Sequence, residues 1–566
     1  MSQQHPSTSS SATAAAAAGD KKFQSRTAAF LQAALQRLPL ASHIVMLFLA
    51  LYGPTQGQYY VAAVYFTLHI VLVSSQLRTA YGMIRCLYFI RSHSQTNWWN
   101  YYLEHSKTVH PSALETSHTP RTLPHLIVIP SYKESMATLT QTLSILASHP
   151  LAKRTYKVCL AMEEREAGGR AKGETLRSQY ADSFLDISVS IHPSGLPGEV
   201  AGKGSNVGWG ARWLVEREFM LASAEYDDDD DEDRATRSHS NAIPEGVLTV
   251  MDADTAFASD YFLAAAVKYL LAVPEKRERM MFVPPIIFDR NQADVPGITR
   301  VTDIMWASVG IGGIYPSSLV KIPTSAYSVS IGLATHVGFW DTGPDAIGED
   351  MHMFCKSLLD TRGHLHVETI YSPASQCNVI GPRPQFEKQS KFQRYIGDSK
   401  ARWTQGADFW NWAIVEETWS WKDKDKVLVT AIELAWRLGV LGAVCTVVIW
   451  IYHDRYHQEA CKRWSRQAAA NNAVPASATD EKTIENYGAD TNAGFDPTDL
   501  GLRPSPYSER KLPGCLYEYV SMPGGLIFGA IPLLYSHFWH LWTDQLAYTV
   551  SAKPSVGPMP VKELRE

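Results

Sequence analysis

G-V-L-T-V-M-D-A-D-T-A-F, residues 246–257, is a short apolar run that ends in two carboxylates one residue apart. Val247, Leu248, Val250 and Met251 enclose a single Thr, the composition of a strand of the buried type. Asp252 and Asp254 follow where that strand must end. Paired acids there can present oxygen donors to a divalent cation, and oxygen donors suit Mg2+ or Mn2+ bridging a diphosphate. An Asx turn that closes the strand is the competing reading of the same residues, and the flanking sequence decides between them.

Upstream, P-H-L-I-V-I-P-S-Y-K-E-S (124–135) is a second apolar strand ending in Pro, Ser and charged residues, after which T-L-T-Q-T-L-S-I-L-A begins a helix. Open α/β sheets bind ligands beyond the carboxyl ends of their strands, in such strand-loop-helix turns. T-Y-K-V-C-L-A-M-E-E-R-E (155–166) repeats the pattern and ends in Glu163 and Glu164. G-E-V-A-G-K-G-S-N-V-G-W-G-A-R (198–212) is a Gly-rich loop around Lys203 that runs into a helix. Small residues allow close backbone approach, and a Lys there is a point charge for phosphate. The Walker A pattern G-x-x-x-x-G-K-S/T is absent, which disfavours the P-loop enzymes.

Downstream, D-T-G-P-D-A-I-G-E-D-M-H-M-F-C-K-S-L-L (341–359) predicts a helix with Met351, Phe354, Cys355 and Leu358 packed inward and Glu349 and Asp350 at its N-terminus. The helix dipole favours carboxylates at that end, and a fixed Asp in a cleft is a candidate general base. His352 on this helix reads as structural. The run D-D-D-D-D-E-D (227–233) reads as a solvated loop rather than a metal site.

The whole chain has 566 residues, 45% hydrophobic and 19% charged, with a formal net charge of -5. That charge and the lack of a basic patch argue against nucleic-acid binding. Seven scattered Cys without a C-x-x-C pair fit neither a zinc site nor a disulfide framework. Residues 1–38 read as a disordered tail without the features of a secretory signal.

Two apolar stretches, 41–53 and 59–75, predict a transmembrane hairpin over 39–78, and two more spans are expected at 427–452 and 522–545. Basic residues before the first span and after the second place both hairpin ends in the cytoplasm. An interfacial segment at 79–122 carries Trp98, Trp99, Tyr101 and Tyr102, which suit a membrane aromatic belt. The expected α/β domain then occupies 123–400, followed by an aromatic segment at 401–426, an irregular loop at 453–521 and a tail at 546–566.

The ordered set P-S-Y-K-E, M-E-E, G-K-G-S-N, D-A-D, G-E-D and R-W (Arg402-Trp403) resembles the membrane-bound family-2 glycosyltransferases, the class of cellulose, chitin and hyaluronan synthases. The resemblance spans roughly residues 123–412. It implies a GT-A fold, an α/β nucleotide-sugar-binding sheet inserted between transmembrane helices, acting on a UDP-sugar. A fungal cell-envelope setting is the accompanying expectation, in the plasma membrane or a secretory-pathway membrane.

By that resemblance Tyr132 and Glu134 belong to the loop that holds the nucleotide base, Pro130 and Glu163 or Glu164 to the nucleotide-sugar site, Lys203 is a nucleotide or diphosphate contact, Arg402 a diphosphate contact, and Asp252 and Asp254 form the D-x-D metal pair. Gly332, in Y-S-V-S-I-G-L-A-T (327–335), and Trp403 are the implied acceptor contacts, and Asp350, next to Glu349, the implied base. The chain departs from the family at Ser399, where a Gln leads the R-W motif, and at 163/164, where an Asp is usual. Three functions follow as expectations: an inverting polysaccharide synthase, a single-sugar transferase acting on a membrane lipid, and a non-catalytic scaffold keeping the fold. Polysaccharide or glycolipid acceptor, bilayer and homo-oligomer are the corresponding partners.

Overall fold

The computed structural model describes residues 58–108, 116–225, 244–291, 297–318, 320–343 and 348–378, with single positions between 37 and 51 and at 295, 531 and 538. In chain order the described elements are α1 (Gln58–Gln95), α2 (Trp98–His105), β1 (His125–Ser131), α3 (Met136–Ala147), β2 (Tyr156–Glu163), α4 (Gly169–Gln179), β3 (Asp186–His192), α5 (Lys203–Glu225) and β4 (Val247–Val250). They continue as α6 (Ser259–Leu270), β5 (Met280–Val283), β6 (Ile286–Phe288), α7 (Gly297–Ile311), β7 (Tyr327–Ser330), α8 (Ile331–His336), α9 (Glu349–Asp360), β8 (His366–Thr369) and β9 (Ala374–Gln376). Short helical turns at Ala152–Thr155 and Pro274–Arg277 connect some of them.

Among the described residues the strands make a seven-stranded sheet in the order β3-β2-β1-β4-β7-β5-β8 and a separate pair, β6-β9. β1 pairs in parallel with both β2 and β4, and β2 in parallel with β3. β7 runs antiparallel between β4 and β5, and β8 lies parallel to β5. The result is a mixed α/β sheet whose parallel half sets the carboxyl ends of β1, β2, β3 and β4 side by side.

Alternation along β1 explains why both faces are covered. Leu126 and Val128 belong to one buried cluster, with Val207, Ala211 and Leu214 of α5, while Ile127 and Ile129 belong to the other, with Leu139 and Leu143 of α3. All seven β1 side chains are buried, as a strand sandwiched between helices requires. The α3 helix starts where Ser135 accepts a hydrogen bond from Thr138 N, an N-cap that stops the preceding loop. In α9 the inward set is as its periodicity predicts: Phe354, Cys355 and Leu358 are buried and Met351 packs at their edge, with Met353 added.

Three expectations about position change. Gly332, read as an acceptor contact, lies in α8 beyond Ser330, and Ser330 pairs with Val247 at the start of β4, not with Val250 at its end. Because β7 is antiparallel to β4, its first residue, Tyr327, is the one beside Val250. Gly332 therefore sits at the opposite end of the sheet from Asp252, tight against Glu278, whose Cα would be 3.1 Å from an added Cβ.

The aromatics expected in a membrane belt meet protein instead. Asn97 caps α2, Trp98 is buried, Tyr101 and Tyr102 pack against the β1–β2 core cluster, and the Arg121 guanidinium lies 4.0 Å from the Trp99 ring centroid. Finally, α1 does not stop at 78. It continues to Gln95, and Met83, Cys86, Leu87 and Ile90 are buried in the same core cluster as α5.

Among the described residues no helix is long and apolar enough to cross a membrane. Arg402, Trp403, the acidic run 227–233, the span at 427–452 and nearly all of the first hairpin limb and of the span at 522–545 lie outside the described residues.

Candidate active site

The site begins at the end of β4. Met251 N still bonds to Val128 O of β1 at 3.2 Å, after which the chain turns, with Thr255 N donating to Asp252 O at 2.9 Å. Two side chains hold this turn from behind. Thr142 of α3 donates to Ala253 O at 2.6 Å, and Arg290 donates to Asp254 O at 2.5 Å and to Gln141 Oε1 at 2.6 Å. Asp252 is partly exposed and Asp254 buried.

Lys203, first residue of α5, reaches across to this turn. Its Nζ lies 2.8 Å from Asp252 Oδ1 and 2.5 Å from Glu349 Oε1, and it donates to Ser325 O at 3.3 Å. Burial works against the ammonium, but the charges of Asp252, Glu349 and Asp350 outweigh it and hold the amine firmly protonated. One cation therefore joins the D-A-D turn to the catalytic-helix candidate α9.

The acids of α9 differ. Glu349 is buried, and burial pushes its carboxyl up to about 7 although Lys203 opposes the shift. Asp350 is partly exposed, its Oδ1 accepts from Met351 N at 2.7 Å, and burial raises it as well, against the pull of Lys203. A carboxylate with raised proton affinity and an open side has the properties of a general base. Beside them Trp340 Nε1 donates to the Tyr327 hydroxyl at 2.7 Å, and burial raises that hydroxyl far above its usual range. His352 is structural here: Nε2 is 2.7 Å from Asp341 Oδ2, while Lys356 meets Asp341 Oδ1 at 2.7 Å.

At the β1–β2 side the acids have local work. Glu134 Oε2 accepts from Tyr132 N at 2.5 Å and from Ser131 Oγ at 3.1 Å, closing a loop in which Lys133 takes a φ of 67°. A non-Gly residue in that region is strained and marks a constrained loop. Glu163 is buried and paired with Arg165, whose guanidinium lies 4.6 Å from the Tyr132 ring centroid. Burial raises Glu163, with Arg165 opposing, whereas Glu164 is lowered by the hydrogen bonds it accepts from Ser194 N and Oγ at 2.8 and 3.0 Å. Pro130 is enclosed in β1, opposite Ala161, so its part is to shape the strand end.

The structure thus gathers Asp252, Lys203, Glu349 and Asp350 in one cleft, with Asp254 buried in the same turn as Asp252, and sets Tyr132, Glu134, Glu163 and Glu164 along the adjoining strand ends. It separates Gly332 from both. Thr255, Ser325 and Gln376, which sequence reading passed over, join the first group: Gln376 Nε2 donates to Thr255 Oγ1 at 2.9 Å and to Ser325 Oγ at 2.7 Å. Thr255 stands directly after the D-A-D pair, a signal within reach. Nothing local marks the other two.

The D-A-D turn offers oxygen donors, the kind a hard divalent cation takes. The two Asp carboxylates share one turn, offer only oxygen, and Asp252 already faces a positive charge. Among the described residues no group of three or more His, Cys, Asp or Glu side chains is arranged to hold a metal ion.

The family model described as glycosyl transferase family group 2 matches residues 247–470, from the first residue of β4 through both acid pairs and beyond the described residues. No curated protein matches the chain. Among solved structures, it resembles a mannosyltransferase from Pyrobaculum calidifontis in complex with GDP-Man and Mn2+, at 12% identity and a TM-score of 0.38, covering 82% of this chain and 100% of that one. It also resembles Staphylococcus aureus TarS 1–349, at 10% identity and a TM-score of 0.28, covering 65% and 89%. The matched stretch, under half of the chain, holds β4, its acids and α9, and on it the chain is an enzyme, a glycosyltransferase.

Proposed function

We propose that the chain is a membrane-bound inverting glycosyltransferase that moves a sugar from a UDP-sugar to a growing polysaccharide for a cell wall or extracellular glycan. The observation that carries this reading is the single Lys203 ammonium shared between Asp252 of the D-A-D turn and Glu349 beside Asp350. Donor phosphate and acceptor hydroxyl would meet there.

In this reading Asp350 takes the proton of the acceptor hydroxyl as its oxygen attacks the anomeric carbon, and the bond to the diphosphate breaks on the opposite face. Inversion follows from that single in-line displacement. Lys203 offsets charge on the departing diphosphate. Asp252 and Asp254 would hold Mg2+ or Mn2+, which when bound supplies further positive charge to the same oxygens. Tyr132 and the strand ends around it line the base side. Arg402 and Trp403 are proposed to contact diphosphate and acceptor, and the apolar spans at 39–78, 427–452 and 522–545 to anchor the domain in the bilayer. Val64, Ile70 and Leu77 of α1 are exposed, which supports a lipid environment for that end of the helix.

The test is nucleotide release by the full chain in membranes, with UDP-sugars and GDP-mannose as donors and Mg2+ or Mn2+ present. The expected result is release with one UDP-sugar and about a thousandfold loss in Asp350→Asn, within the range for a general base. No release with any donor, or full release by the variant, overturns the reading; acid-stable polymer in the product separates a polysaccharide from a single-sugar lipid.

A further inference from the structure

The hydrogen bonds around the D-A-D turn close into a ring. Asp252 Oδ1 meets Lys203 Nζ, Lys203 Nζ donates to Ser325 O, Gln376 Nε2 donates both to Ser325 Oγ and to Thr255 Oγ1, and Thr255 N donates back to Asp252 O. Every member stands within or next to the cleft, yet Gln376 itself touches none of the charged groups assigned to the reaction. It is buried at 3% exposure, on a strand fixed by its own carbonyl, which accepts from Asp289 N at 3.1 Å and Arg290 N at 3.2 Å.

We propose that Gln376 is a positioning residue: by bridging Thr255 and Ser325 it sets the Ser325 carbonyl that aims Lys203 at the donor's diphosphate. The physical need is specific. A lysine is a compact charge on a flexible four-carbon stem, and Asp252 and Glu349 supply two of the contacts that fix its ammonium. The Ser325 carbonyl supplies the third contact, and Ser325 lies in a connecting segment without strand or helix bonds of its own to hold that carbonyl. The Gln376 amide is what ties the segment to the D-A-D turn. Arg290, whose backbone N bonds to Gln376 O and whose guanidinium holds Asp254 O, extends the same support to the second Asp.

The inference rests on the donor-site reading of Lys203, and its test separates the two. Binding of UDP and of uridine to the full chain would be measured for the native protein, Gln376→Met, Ser325→Ala, Lys203→Met and the double variant Gln376→Met/Lys203→Met. Gln376→Met keeps the side chain's length and removes both donors. Its UDP affinity is expected to fall about tenfold, within the range for the two buried hydrogen bonds it loses, with uridine affinity unchanged. Ser325→Ala, which removes one end of the bridge and keeps the carbonyl, is expected to fall about threefold.

The decisive reading is the double variant. If Gln376 acts through Lys203, Gln376→Met has no further effect once Lys203 is gone; independent structural damage would add in full. Equal UDP binding by Gln376→Met and native protein, an equal loss of uridine binding, or full additivity each overturns the inference and leaves the donor reading standing. If the native protein does not bind UDP, the donor reading falls and this inference with it. Should Gln376→Met not fold, Ser325→Ala alone and over Lys203→Met gives the same decision.

Discussion

The acids on the two sides of the cleft are alike in sequence and unlike in use. On the β1–β2 side each carboxylate has a private partner: Glu134 its own loop, Glu163 Arg165, Glu164 Ser194. On the β4–α9 side Asp252 and Glu349 share one Lys203, and burial drives the α9 carboxyls upward. Satisfied acids fix backbone; acids that compete for one cation are held close to a change of charge. That difference, more than the mere presence of D-A-D or M-E-E, distinguishes the two sides.

Four measurements would break or sharpen the contrast. The largest effect is expected for Lys203→Met, which leaves two acids facing each other without their cation. It should destabilise the protein by about 3 kcal/mol, as breaking a buried pair does, and reduce turnover about a hundredfold. An unfolding midpoint like that of native protein would show that the shared cation is dispensable.

The second is a pair of opposed pH trends. Asp350 must be ionised to act as base, so the acidic limb of activity should lie above the ordinary carboxylate range of about 4. Glu349 behaves oppositely for stability. Its folded value, about 7, exceeds its ordinary 4.5, so its contribution is complete below pH 4.5 and is lost as the pH rises through about 7. Glu349→Gln should flatten the stability profile across that window; a profile unchanged by the substitution would refute the assignment.

Smaller still, Glu134→Gln should cost about 1 kcal/mol, a hydrogen-bond effect, with donor KM within about threefold of native. A hundredfold rise in KM would make Glu134 a direct ligand contact instead. Gly332→Ala, at the far end of the sheet, should cost about 1 kcal/mol through crowding of Glu278 and leave kcat/KM unchanged. Loss of acceptor use without loss of stability would restore Gly332 to the site.

These contrasts also show what could be read in the chain beforehand. The strand ending in Asp252 and Asp254 was legible because an apolar run meeting paired acids has few other structural solutions. The α9 face was legible because Phe354, Cys355 and Leu358 repeat at the helical period. The place of Gly332, an acceptor contact by the resemblance alone, was not legible because sequence does not show strand direction, and an antiparallel β7 exchanges the two ends of the sheet. The Glu164 pairing was hidden because Ser194 reaches it only through the packing of β2 against β3, whereas Glu134 and Glu163 find their partners within three residues, where sequence shows proximity but not which acid turns back on its own loop. Gln376 and Ser325 carry no local signal at all, since only the fold brings positions 252, 325 and 376 together.

The α1 helix carries one more implication. Thirty-eight residues at 1.5 Å each make a rod about 57 Å long, and its second half is seated where an added Cβ on Gly82 would lie 2.0 Å from Gly312 O, just past α7. Such a seat permits little sliding or rotation. Residues 58–77 are therefore the unbroken continuation of a segment locked into the core that also holds α5, so a displacement of that end would be resisted by the α/β core itself.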